Sequence, residues 1–491
     1  MDASLAKSAG ANGLAALQPW GQEPCGDECV ATVEQAMLLL DQACVHLPLK
    51  RRRGVGPVEQ LRDLRARLPE TRAQFYRELL AIFAKLGDRH TQCHLPEPWA
   101  SHVVYLPFLV RAFFQDGHQR LAVVGSAVEG LERGDTLIAW NEQPMRAVLR
   151  QHMTQQLGAN REARLAKAVQ TLTFRPLASM PPPEGAVGLE VEGNDGRRRK
   201  LRLEWQLAEH SWLIEHVLPR LNVDVEHSDF SSEGLRARVI ETNSGTFGHI
   251  RVASFHARPD QFLPAFVAAL ETLPRAGLVL DLRGCEDGII QTAERLLQLF
   301  TAAPIEPQPF QFRITDLIRE MVQSAPALRT WRDPVEQAAR RRRRFSIAQP
   351  LTSPNEANAV GQKYQGPVVV LVDALTYSSA EMFAAGFQDH GIGLVMGTAR
   401  RTGGGGASPW HQAAIHQLSG KEVFRPRPGS PTLRVAVRRC QRVHARSGQP
   451  IEGIGVTPDV VYLPTRDNLF NKDRDLLEKV GALLAQKIFP S

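Results

Sequence analysis

Long apolar runs are missing from this sequence: none of its 491 residues lies in a stretch approaching the roughly 18 consecutive apolar positions of a membrane-spanning helix. The first residues, MDASLAKSAGANGLAALQPWGQEPCG, also lack the continuous apolar core of a secretory leader, so the chain reads as soluble, unexported and cytoplasmic. Cysteine is sparse. Cys25, Cys29, Cys44, Cys93, Cys285 and Cys440 show no CxxC spacing, which argues against a zinc site and a disulfide scaffold and fits reduced thiols. The glycine run at 403–406 lacks the lysine and Ser/Thr of a P-loop, so it is no phosphate cradle. No metal or cofactor is expected. The net charge of +7 gathers in short runs at 50–53, 197–200 and 340–344 with little aromatic interleaving, which suits solvated faces or mobile loops better than a nucleic-acid surface.

What is present suggests several domains, because 491 residues are too many for one core. After a disordered start at 1–27, residues 28–100 have a helical pattern, clearest where Phe75, Leu79, Phe83 and Leu86 form one apolar stripe. This domain ends in the polar loop LGDRHTQCHLPEPW, which carries His90 and His94. Residues 101–210 read as short strands with a tight turn at Gly134 and Asp135. From 236 to 465 strands alternate with helices, which argues for an α/β core with buried, largely parallel pairing. Residues 302–363 form a long polar stretch, read as an insertion over the surface. The end, 466–491, reads as one amphipathic packing helix using Leu469, Phe470, Leu476, Leu477, Val480 and Leu484.

The segment at 364–406, YQGPVVVLVDALTYSSAEMFAAGFQDHGIGLVMGTARRTGGGG, reads as a buried strand delivering Ser378 to the mouth of a helix. Backbone N–H groups there have no intrahelical partner and can stabilise an oxyanion. Taken alone, the position is better explained by an N-cap serine. The segment resembles the nucleophile region of the serine peptidases that include the C-terminal (tail-specific) processing peptidases, the tricorn protease core and the interphotoreceptor retinoid-binding protein repeats. In that family an acidic residue follows the nucleophile by three positions, here Glu381, and a Gln-Asp pair follows by about ten, here Gln388 and Asp389. The resemblance implies a crotonase-like (ClpP/crotonase type) α/β core. GLERGDTLIAW, in turn, resembles the turn and strand of a PDZ domain, a module that takes up extended peptide on a sheet edge; the alternative is any small β domain with a tight turn.

A serine hydroxyl needs a base. Processing peptidases supply a lysine about 25 residues on, but no lysine occurs between Lys363 and Lys421, so a Ser-Lys dyad is absent. The tricorn-type solution takes a histidine from a preceding helical domain and a glutamate from late in the core. By that resemblance LGDRHT makes His90 the base, and IEGIGVTPDV makes Glu452 the carboxylate behind it. Arg89 stands where the tricorn type has a serine, so Asp88 or Glu452 must orient His90; His94 is the fallback base. Read without the resemblance, His90 is a surface or capping histidine.

The resemblance places the oxyanion hole at the N–H groups of Ser379 and of the loop DLRGCEDGII, where Gly288 is the one family glycine kept. By that resemblance Cys285 stands in place of an asparagine and Asp287 in place of the first glycine, and Asp287 adds a side chain and a charge beside a developing oxyanion. Cys285 reads as a packing thiol. Gly403–406 reads as a backbone strip for a paired peptide. The expected function is a serine peptidase cleaving polypeptides through an acyl-enzyme, without a nucleic-acid partner. The alternative is a catalytically weak relative that binds peptides or ligands.

Overall fold

A computed structural model describes residues 14–17, 20–183, 185–221 and 234–486. Most of the expected disordered start, residues 1–13, lies outside them. Residues 20–27, however, are packed against the body: Ala73 N–H donates to the Gly21 carbonyl, Arg72 N–H to the Glu23 carbonyl, and Pro24 bridges to Thr71. Trp20 stacks edge-on against Trp99 and His102.

The helical domain consists of Asp27–Gln42, Leu47–Arg52, Pro57–Ala66 and Arg72–Leu86. Phe75, Leu79, Phe83 and Leu86 are all buried, as their spacing on one helix face requires. Both ends of Arg72–Leu86 are fixed locally. Thr71 and Gln74 form a reciprocal capping box at the start, and Gly87 closes the end in the left-handed conformation, φ 56°. That stop delivers the chain directly into Asp88, Arg89 and His90.

Residues 108–203 form a β domain with a six-stranded antiparallel sheet and two helices, Met145–His152 and Arg161–Gln170. Its tight turn follows from Gly134, φ 100°, and from the buried Asp135 carboxylate, which accepts the Glu132 N–H and pairs with Arg199. A small three-stranded sheet of His102–Tyr105, Phe174–Pro176 and Gln206–Glu209 flanks it.

The core sheet has six strands in the order Leu235–Thr242, Gly245–Val252, Leu278–Asp281, Val368–Val372, Leu394–Gly397 and Val460–Val461. The first pair is antiparallel and the rest parallel. Val368–Val372 lies between two parallel neighbours and is buried at all five positions, which is why its sequence is continuously apolar rather than alternating.

Two expectations change here. Residues 302–363 are not a polar surface stretch: they hold a strand, Pro309–Phe312, and helices Asp316–Ser324 and Arg332–Arg340, with Phe310, Phe312, Leu317, Ile318, Met321 and Trp331 buried. The Arg438 guanidinium spreads over Phe312, Trp331 and Trp410, so a charged residue completes this apolar cluster. The C-terminal segment is two helices, Arg466–Phe470 and Arg474–Gln486, not one. Lys472 and Asp473 take positive φ, and Asp473 turns to pair with Arg283 and accept from Asn468. Leu476, Val480 and Leu484 then pack on the face of the core sheet. Residues 487–491 lie outside the described residues.

A second, five-stranded sheet joins the parts that flank the core. Thr432–Cys440 pairs antiparallel with Gln92–His94, with Ala407–His411 and with Pro309–Phe312, to which Gln349–Pro350 is added. This pairing brings the end of the helical domain onto the core. Among the described residues no helix is long and apolar enough to cross a membrane.

Candidate active site

The strand Val368–Val372 ends in Asp373, whose side chain accepts the N–H groups of Leu375, Thr376 and Gly284. One carboxylate thus ties the turn after the strand to the loop after strand Leu278–Asp281. The Thr376 hydroxyl donates to the Leu282 carbonyl and Tyr377 N–H to the Cys285 carbonyl, closing the same seam. Helix Ser378–Asp389 starts on the next residue. Ser378 has φ 57°, a conformation costly for a non-glycine residue and held here only because the turn on either side is pinned. Its side chain is aimed at His90: Oγ lies 2.9 Å from Nε2.

His90 is placed by the short turn after Gly87. The Asp88 carboxylate accepts His90 N–H at 2.8 Å and the Thr91 hydroxyl at 2.7 Å, while Thr91 Oγ accepts Ala436 N–H of the second sheet at 3.1 Å. The imidazole packs on the Tyr377 ring, centroids 4.7 Å apart, and Arg89 N–H donates to the Tyr377 hydroxyl. Burial pushes the His90 pKa down to about 4, against the pull of Asp88 and with help from Arg434 and Arg89. The ring is therefore neutral at pH 7, and Nε2 can accept the serine proton.

Glu452 does not sit behind His90. It accepts from the Lys50 ammonium at 3.1 Å and lies 3.6 Å from His46, while His90 Nδ1 is buried with no protein partner among the described residues. Nor does Asp88 reach the ring; it holds the backbone. Burial, with the Asp88 charge nearby, pushes the Glu452 carboxyl up to about 8 against the opposing effect of Lys50. Lys50 stays protonated, since Glu452 and Asp88 outweigh the cost of its burial. This ammonium, 3% exposed, also donates to the Gly87 carbonyl at 3.2 Å, joining three elements at the turn that bears His90. His46, Asp88 and Glu452 converge as three metal ligands could, but the positive charge among them is the Lys50 ammonium.

The other candidates separate. His94 bonds the Gln92 side chain and not Ser378. Asp389, at the far end of the helix, pairs with Arg442 and Arg446. Ser379 N–H lies in the first helical turn, where no intrahelical carbonyl reaches it. Gly288 N–H is engaged by the Asp287 carboxylate at 2.9 Å, and Gly288, φ 148°, is pressed against Phe255 by a β-bridge. The Asp287 charge is itself offset by Arg434 at 3.5 Å. Cys285 is buried, and burial pushes its thiol up, so it packs rather than reacts.

The glycine run is not an open strip. Residues 403–406 are buried, and a Cβ on Gly405 would fall inside the Tyr377 ring. Thr402 Oγ1, Gly404 N–H and Gly405 N–H all donate to the Glu381 carboxyl, which burial pushes up to about 7. Two further residues link the β domain to the site. Asn160 donates to the Thr402 carbonyl, and Glu286 of the loop pairs with both Arg89 and Lys167.

Comparison with known proteins agrees with this architecture. Residues 246–462 match the model for peptidase family S41, and residues 103–214 match a PDZ domain. The crystal structure of mature CPAF is similar over 94% of this chain and 99% of its own, at a TM-score of 0.72 and 17% identity. Mature CPAF complexed with lactacystin gives a TM-score of 0.70 at 16% identity, over 94% of this chain and 99% of that one. At such identity the likeness speaks for the fold. Residues 246–462, built on a buried and largely parallel sheet, are thus a peptidase family S41 core of the serine type, with a PDZ domain packed beside it.

Proposed function

We propose that this serine peptidase cleaves polypeptides through an acyl-enzyme on Ser378, with His90 as general base in the tricorn manner rather than a lysine. The observation that carries the reading is the 2.9 Å contact between Ser378 Oγ and the neutral, buried His90 Nε2. In the first step His90 takes the serine proton as Oγ attacks the scissile carbonyl. The oxyanion forms at the helix mouth, where Ser379 N–H donates to it. His90 then passes the proton to the leaving amine, and the same base activates the water that releases the acyl group. Asp88 and Lys50 hold the turn on which His90 rides. Glu452 acts through Lys50, not on the imidazole.

One observation favours a second reading, a weak or inactive binding protein. Gly288 N–H is already taken by Asp287, which leaves one backbone donor fewer for the oxyanion. A fluorophosphonate probe separates the two readings. Labelling of the wild type that disappears in Ser378→Ala supports the peptidase, whereas a wild type that resists labelling supports the binding protein.

A further inference from the structure

Folding brings into contact two cysteines whose spacing in sequence gave no pairing signal. Cys25 Sγ lies 3.2 Å from Cys29 Sγ, about 1 Å beyond the length of a disulfide bond. Cys25 sits just before helix Asp27–Gln42 and Cys29 in its first turn. The contact is held on all sides. Cys25 N–H donates to the Glu70 carbonyl, its thiol to the Thr71 carbonyl at 3.6 Å, and the neighbouring Glu23 and Pro24 pair with Arg72 and Thr71. Cys25 is half-buried and Cys29 buried, so a small oxidant can reach the first and not the second. A metal does not explain the pair: among the described residues the one group of three His, Cys, Asp or Glu ligands within metal reach is His46, Asp88 and Glu452.

We propose that Cys25 and Cys29 form a redox modification site that closes to a disulfide with a low-molecular-weight disulfide as oxidant. The Cys25 thiolate attacks oxidised glutathione; the glutathione S–S bond breaks, a mixed disulfide forms on Cys25, and one glutathione thiolate leaves. The Cys29 sulfur, giving up its proton to solvent, then attacks Cys25 Sγ and expels the second glutathione. Two protein thiols become one disulfide, and one oxidised glutathione becomes two thiols, which recover the two protons. Cys29 is the resolving partner, because burial and then Cys25 push its thiol up to about 12. Closure fastens the strap at 20–25, with Trp20 against Trp99, to the helix that begins at Asp27.

The test is treatment of the full chain with oxidised glutathione, unfolding in iodoacetamide, and peptide mass mapping. The expected product is a Cys25–Cys29 peptide about 2 Da lighter than the dithiol form and closed to alkylation. Cys29→Ser should instead retain glutathione on Cys25, and Cys25→Ser should leave Cys29 open to iodoacetamide. Wild type in which both thiols are alkylated after oxidant, or in which glutathione stays on Cys25, overturns the proposal.

Discussion

Ser378 and His90 meet although 288 positions separate them, and the chemistry proposed for them depends on a ring that stays uncharged in a buried place. Because burial holds the His90 pKa near 4, the rate of fluorophosphonate labelling should climb with pH through about 4 and be flat from about 5.5 to 7, not rise through 6.5 as an exposed histidine would make it. His90→Ala should slow labelling about 10²–10⁴-fold without loss of helical circular dichroism. Glu452 offers a second test. Its folded pKa, about 8, is raised above the ordinary glutamate value, so its contribution to stability is complete below about 4.5 and is lost as pH rises through about 8. Glu452→Gln mimics the protonated form; it should cost under about 1 kcal/mol at pH 6, measured by thermal unfolding, and should flatten the decline toward pH 8. A loss of about 3–5 kcal/mol would mean that an ionised Lys50 partner had been removed. Ser378 and His90 were legible because each sits in a local string that resembles the peptidase family's, a strand-to-helix turn with Glu381 three residues on and LGDRHT. Lys50 was invisible for the opposite reason. It begins a run of four basic residues whose other members, Arg51, Arg52 and Arg53, are exposed, and nothing in such a run tells which member folds inward.

The turn between strand Val368–Val372 and helix Ser378–Asp389 works as a unit with the loop that faces it. Asp373, the Tyr377 ring and the glycine run fit one another closely, so a change in any of them should move Ser378. Gly405→Ala places a methyl where the Tyr377 ring lies; the expected cost is about 1–3 kcal/mol, with labelling of Ser378 reduced more than unfolding alone explains at a temperature where the variant is folded. The strand itself was readable, because five buried positions leave an unbroken apolar signature. The insertion was not. Its apolar residues are separated by charged ones, and part of its packing comes from Arg438 lying over three aromatic rings, a contact that hydrophobic patterning scores as polar. The glycine run was misjudged as open backbone because sequence shows that glycine admits close approach but not what approaches.

At the scale of the whole molecule, the strand Thr432–Cys440 is the member that makes a single body of separate parts. Its Leu433 opposes Cys93 and its Arg434 opposes Gln92, two residues beyond His90, while its Ala436 N–H is held by Thr91. Val435→Pro should remove strand pairing there and abolish labelling of Ser378 even if the core sheet still forms, as read by amide hydrogen exchange on Val368–Val372. This placement also bears on when activity can begin. Synthesis produces the histidine first and the serine much later, and the strand that fixes the histidine emerges later still. On the proposed mechanism, a nascent chain that has already made Ser378 therefore lacks a settled base until Thr432–Cys440 has also emerged and paired, so acylation should begin only after that strand is in place.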